Sequence, residues 1–284
     1  MSESFDPMPW PFSRSAQKQI ARIEITGAIA SGTRKRVLKA LKTVEERGFP
    51  ALLLRIDSPG GTVGDSQEIY EALKRLRQKV KVVASFGNIS ASGGVYIGVG
   101  ADHIMANPGT ITGSIGVILR GNNLQRLLDK IGISFKVIKS GPYKDILAFD
   151  RELTDAETTI LQELIDTSYH QFVQTVAEGR KLDEETVRSF ADGRVFTGQQ
   201  ALALGLVDRL GTEEDARRWL AELVDLDPEK VKTCPIEQKK SPLMRLLPGQ
   251  ETQEERWMGP WRSQLDWLEF EIATSGLPLW LYRP

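Results

Sequence analysis

The sequence predicts an α/β protein built on a mainly parallel sheet, with a helical subdomain towards its C-terminal side. Three observations predict it. Apolar strand-like runs alternate with helix-spaced segments from Gln19 to about residue 140. Several of those runs end in a turn of small residues. From Thr154 the apolar spacing becomes helical and stays so to about residue 224.

In chain order, "IARIEITG" (20–27) reads as a strand, and residues 33–47 place Val37, Leu38, Leu41 and Val44 at helical spacing. "ALLLRID" (51–57) is a buried strand that turns at "SPGG", and residues 64–77 follow as a helix with Ile69, Leu73 and Leu76 on one face. "VKVVASF" (80–86) begins an uncharged run that extends to Ala101. The length of that run raises the question of a membrane span. Its glycines, serines and Asn88 would be costly against lipid. A strand, a tight turn and a short helix from Ser92 to Val99 account for it better. "HIMAN", the segment Ile111–Leu119 and "SFKVIKS" (134–140) supply further strands, with a helix at 123–131. Such a rhythm implies right-handed crossovers with helices packed on the sheet.

At Thr154 the motif "TDAE" forms a capping box with Glu157. A long helix follows, its stripe running through Ile160, Leu161, Leu164, Ile165, Tyr169, Phe172, Val173 and Val176. Residues 225 onward carry mixed charge and Pro228, Pro235, Pro242 and Pro248, which reads as a linker. Beyond it lie Trp257, Trp261, Trp267 and Trp280. They suit packing against the body or a neighbouring subunit, or contact with a membrane interface. Residues 1–19 read as an arm or a disordered tail without the apolar core of a secretory signal. A cytoplasmic location, with peripheral membrane contact open, is the corresponding expectation.

Composition narrows the chemistry. Thirty-seven basic and 38 acidic side chains leave a formal net charge of -1, with no basic stripe for nucleic acid. The single cysteine, Cys234, excludes an internal disulfide framework. No cluster of metal ligands or nucleotide-phosphate fingerprint stands out, so no cofactor is expected. Only His103 and His170 are available as histidine bases. Their places, in a strand past the short helix and on the long helix, read as structural or exposed.

Three glycine- and serine-rich turns remain: "DSPGG" (57–61), "SASGG" (90–94) and "TGSIG" (112–116). In an open α/β sheet, ligands bind at the carboxyl ends of strands. Ser92 stands at a predicted helix start, with Gly93 and the Gly60–Gly61 turn able to offer backbone donors to an oxyanion. A base other than histidine is then required. A lysine, normally charged with a pKa of about 10.4, becomes a base when burial lowers that value. Lys144 in "SGPYKD" is a candidate, although a loop lysine is ordinarily a solvated charge.

Taken in order, "DSPGG", "ASGGVY", "TGSIGV", "SGPYKD" and "FTGQQALALGLVDRLG" (196–211) resemble the signal peptide peptidase A family of serine peptidases, over about residues 20–224. The resemblance implies a crotonase/ClpP-like fold of repeated ββα units. It also implies Ser92 as nucleophile, Lys144 as general base and Ser114 as the residue orienting the lysine. Gly61 and Gly93, with Gly60 beside them, would supply the oxyanion-hole amides. The implied substrates are apolar peptides such as signal-peptide remnants. The implied assembly is a ring or dome of identical subunits; in single-domain members the serine and lysine of one site come from adjacent copies, and the spacing of Ser92 and Lys144 leaves a site within one chain equally open. The sequence departs from the family pattern at Thr62, where a third glycine is common, in showing no N-terminal membrane anchor, and in its Trp-rich tail. On this reading the chain divides into an arm (1–19), a peptidase domain (20–224, with a helical subdomain at 154–224) and a C-terminal extension (225–284). Two other readings keep the sheet but change the role: a crotonase-like acyl-CoA enzyme using Asp65, and a non-catalytic membrane-associated scaffold.

Overall fold

The computed structural model describes residues 16–236 and 278–281. The N-terminal arm to residue 15 and Trp257, Trp261 and Trp267 therefore lie outside the described residues.

The strands are β1 (Gln19–Thr26), β2 (Ala51–Ser58), β3 (Gly60–Thr62), β4 (Lys81–Ala91), β5 (His103–Ala106), β6 (Ile111–Gly113), β7 (Val195–Thr197), β8 (Arg209–Leu210), β9 (Lys232–Pro235) and β10 (Leu279–Leu281). The helices are α1 (Ser31–Arg47), α2 (Val63–Leu76), α3 (Gly93–Gly98), α4 (Gln125–Ile131), α5 (Asp155–Arg180), α6 (Glu184–Arg188), α7 (Gly198–Ala203) and α8 (Glu213–Leu223). The main sheet runs β7-β6-β4-β2-β1-β9, with β5 and β8 branching from β4. All its pairings are parallel except β6–β7. An α/β fold with a mainly parallel sheet is thus what the chain forms.

Both faces of the sheet are covered, which is why its strands read as nearly continuous apolar runs. Leu52, Leu54, Ile56, Val82, Ala84 and Phe86 point into the larger core with α1, α2, α3 and part of α5. Their neighbours Ala51, Leu53 and Val83 point the other way, against Ala216, Trp219 and Leu220 of α8. The two-residue alternation along each strand assigns the faces.

The uncharged run from Val82 to Ala101 is divided between β4 and the buried helix α3, and no helix of the described residues is long and apolar enough to cross a membrane. β4 changes partner along its length, pairing with β5 at Val83–Phe86 and with β6 at Ile89–Ala91. Asp57 pins the switch, accepting hydrogen bonds from the backbone of Asn88 and Ile89 at 3.3 and 3.1 Å. The last residues of β4 are thereby aimed beside β6.

Four sequence readings need correction. Residues 134–140 form no strand: Phe135, Val137 and Ile138 are all exposed, and no strand among the described residues pairs with them. The Ile111–Leu119 strand shortens to Ile111–Gly113, with Ile118 forming a separate bridge to Leu279. The capping box of α5 is present and Glu157 is buried within it, but Ile160 and Leu164 are exposed and the buried apolar side chains start at Phe172. The first half of that helix therefore projects from the core. Finally, the segment read as a helical subdomain returns to the sheet through β7 and β8, and the supposed linker adds β9 beside β1. The two to four residues of β7, β8 and β9 carry too little periodicity to be told apart from turns and loops in sequence.

Candidate active site

The parallel strands β4 and β6 end side by side, pairing Ala91 with Gly113. The next residues on the two strands are Ser92 and Ser114. Ser92 N–H donates to the Gly113 carbonyl at 2.8 Å, and Ser114 N–H donates to the Arg194 carbonyl at 2.8 Å. Both serines have positive φ, 53° and 52°. A non-glycine residue seldom adopts such a value, and strained backbone of this kind clusters at functional sites.

Ser92 sits at the entry to α3 and is 1 % exposed, and its Oγ has no hydrogen-bond partner among the described residues. A buried hydroxyl is normally paired. A positive φ and an unpaired buried hydroxyl thus coincide at this residue.

Gly60 and Gly93 face Ser92's surroundings. A Cβ on Gly60, at φ 104°, would lie 2.7 Å from the Gly93 nitrogen, so the two backbones are in contact and only glycine permits it. Gly61 is held just as closely by Ile29, whose carbonyl oxygen would lie 1.9 Å from an added Cβ. The turn is fixed further by Ile29 N–H donating to the Gly60 carbonyl (2.8 Å), Thr62 N–H donating to the Ile29 carbonyl (3.0 Å), and Gly60 N–H donating to Ser58 Oγ (3.1 Å). Ser92, Ser114, Gly60, Gly61 and Gly93 are therefore brought together.

Lys144 is not joined to them by any hydrogen bond among the described residues, and it is exposed. Its loop is anchored by its neighbour Asp145, which pairs with Lys139 at 2.6 Å and Arg151 at 2.9 Å. Arg151 also grips Glu157 at 2.5 Å. Hydrogen bonds from Arg151 lower both carboxyl groups to a pKa of about 2. The arm around this loop carries exposed Leu127, Phe135, Val137, Ile138 and Tyr143.

The histidines lie elsewhere. His103 packs on Trp219 with ring centroids 4.7 Å apart, and burial pushes its pKa down. His170 contacts Arg188 at 2.9 Å on α5. Asp65, the carboxylate that an acyl-CoA reading needs, is tied to Arg34 at 3.2 Å and accepts from Thr62 Oγ1. No group of metal-ligating side chains occurs among the described residues. The sequence reading missed the approach of Leu279–Leu281 to β3, for which a short apolar stretch gives no local signal.

Comparison with known proteins gives the family. The model for "Peptidase family S49" matches residues 74–227, and that for "Clp protease" matches residues 13–110. A protein of Synechocystis sp. that carries a provisional protease name is 70 % identical over 279 residues, 97 % of this chain and all of that one. Protease 4 of Salmonella typhi is 38 % identical over 177 residues, 62 % of this chain and 28 % of that protein. Serine protease SPPA, chloroplastic, of Arabidopsis thaliana is 33 % identical over 179 residues, 62 % of this chain and 26 % of that protein. The last two are thus much longer than the segment they share.

Proposed function

The chain belongs to peptidase family S49 and is a serine peptidase, and from that premise we propose that Ser92 is its nucleophile and Lys144 its general base. The observation that carries the assignment is Ser92 itself: buried, at φ 53°, with an unpaired Oγ beside the Gly60–Gly93 contact. Ser92 Oγ attacks the peptide carbonyl carbon while neutral Lys144 takes its proton. The amides of Gly61 and Gly93, with Gly60 shaping the turn, stabilise the negative oxygen. Lys144 passes the proton to the leaving amine, and water then hydrolyses the acyl-enzyme through the same base. Ser114, in register with Ser92, orients the lysine.

The base comes from a neighbouring copy. A lysine must shed water to act as a base, and Lys144 lies exposed on an arm whose apolar side chains are uncovered. Docking of that arm onto a second subunit buries the side chains and delivers Lys144 to a Ser92 from which it is otherwise separate. Apolar peptides in extended form are the substrates, since the Gly60–Thr62 strand beside Ser92 pairs with an extended apolar segment, Leu279–Leu281. The peptidase unit is assigned to residues 20–224. The acyl-CoA reading is weaker because Asp65 is already engaged by Arg34 and Thr62.

A fluorophosphonate probe tests the nucleophile. The account expects one adduct on wild type, located by peptide mapping at Ser92, and none on Ser92→Ala. An adduct on another serine, with Ser92 unlabelled, would overturn it.

A further inference from the structure

The strand β10 lies in the site as an extended peptide. Leu279, Trp280 and Leu281 pair antiparallel with Thr62, Gly61 and Gly60. On its other side, Leu279 N–H donates to the Ile118 carbonyl at 2.9 Å, and Ile118 N–H donates to the Leu279 carbonyl at 3.1 Å. The segment is thus flanked on both sides, the arrangement by which a groove binds a peptide through its backbone.

The orientation of this peptide is the informative part. Backbone groups turn to alternate sides along a strand. Those of Leu279 face Ile118, so those of Trp280 face the glycine turn, and Val63 N–H donating to the Pro278 carbonyl fits the same alternation. The Trp280 carbonyl oxygen rests against the two glycines: an added Cβ would lie 2.0 Å from it at Gly60 and 3.1 Å from it at Gly93. A carbonyl against the oxyanion turn is the position of a scissile peptide.

The side chain of Trp280 is fully buried. Its ring stacks on Tyr96 at 3.9 Å and lies 4.8 Å from Phe172. Its indole nitrogen has no hydrogen-bond partner among the described residues. The pocket therefore selects by aromatic and apolar contact and offers nothing to an N–H, so any large apolar side chain suits it.

We propose that Leu279–Leu281 is held in the site as the enzyme's own substrate, with Trp280 in the primary specificity pocket and the Trp280–Leu281 bond as the one cut. This rests on Ser92 being the nucleophile. Ser92 Oγ bonds to the Trp280 carbonyl carbon, the bond to the Leu281 nitrogen breaks, and the Ser92 proton reaches that nitrogen through Lys144. That step frees the segment from Leu281 onward, and water then cleaves the ester to leave a Trp280 carboxylate. Until the cut is made and its product leaves, the segment excludes other peptides from the groove.

The intact mass of the purified full chain, followed over time together with hydrolysis of an added apolar peptide, tests this. Wild type is expected to lose the mass of Leu281–Pro284, and Ser92→Ala, prepared identically, to keep it. Leu281→Pro retains Trp280 in its pocket but blocks acyl transfer, so its tail should persist. Among added peptides, those with Trp or Phe before the cut should exceed the Asp counterpart by roughly 100-fold in kcat/KM. Wild type that cuts added peptide but keeps its last four residues would overturn the self-substrate assignment and leave Ser92's role standing. A preference for small or charged residues before the cut would overturn the pocket assignment. If Ser92→Ala also hydrolyses peptide and trims its tail, both the nucleophile and this inference fall.

Discussion

Replacing Ser92 should stabilise the protein while abolishing its activity. Its backbone, at φ 53° and ψ -115°, lies in a region that a side chain disfavours, at a cost of about 1–3 kcal/mol. Its buried, unpaired hydroxyl adds a penalty of about 1–3 kcal/mol. Ser92→Ala removes the second cost and keeps the first, so a gain of about 1 kcal/mol is expected. Ser92→Gly removes both, less about 0.5–1 kcal/mol for the greater freedom of glycine in the unfolded chain. It should match or exceed alanine. For a domain of this size, each 1 kcal/mol moves Tm by about 2–4 °C. Thermal unfolding followed by circular dichroism reads the order Ser92, then alanine, then glycine. A fall in Tm for Ser92→Ala would refute the reasoning, because it would mean that the hydroxyl makes a stabilising bond in the folded protein.

The loop carrying Lys144 should loosen in acid. Arg151 depresses Asp145 from 3.8 and Glu157 from 4.5, both to about 2. The stability they contribute is fully present above those ordinary values and is lost as pH falls towards 2. Amide exchange in residues 139–157 should therefore rise between pH 4.5 and 2, and in Arg151→Met it should be raised already at pH 7; unchanged exchange in that variant would refute the anchoring role. On the neighbouring arm, Ile138 is 91 % exposed. Ile138→Asp should reduce the assembly mass seen by sedimentation and reduce peptidase activity by roughly tenfold or more, as burial of a charge in an interface would. Unchanged mass and activity would remove this arm from the interface.

How much was legible follows from the range of the interactions involved. The parallel strands could be read because burial on both faces makes them continuous apolar runs, and the start of α5 because Thr154 and Glu157 satisfy each other's backbone within one turn. Ser92 could be located because a serine among glycines after a buried strand is a local feature. Its strain and its unpaired hydroxyl depend on how β4 lies against β6, and those emerge only in three dimensions. "SFKVIKS" carries strand-like apolar residues, yet no strand among the described residues pairs with it. Ile160 and Leu164 show helical spacing, but both are exposed among the described residues. The three residues of β10 pose the converse case: their partner, β3, is more than two hundred residues away along the chain, beyond the reach of any periodicity.

The claim that a site joins Ser92 of one copy to Lys144 of another is tested most directly by mixing two inactive variants. Ser92→Ala and Lys144→Ala should each lose roughly 10⁴-fold or more of peptidase activity, as removal of a nucleophile or its base does. Unfolded together and refolded, or mixed under conditions where subunit exchange is demonstrated, they should regain a substantial fraction, because some sites then receive an intact serine and an intact lysine. No recovery despite proven exchange would contradict the shared site and place both residues within one chain.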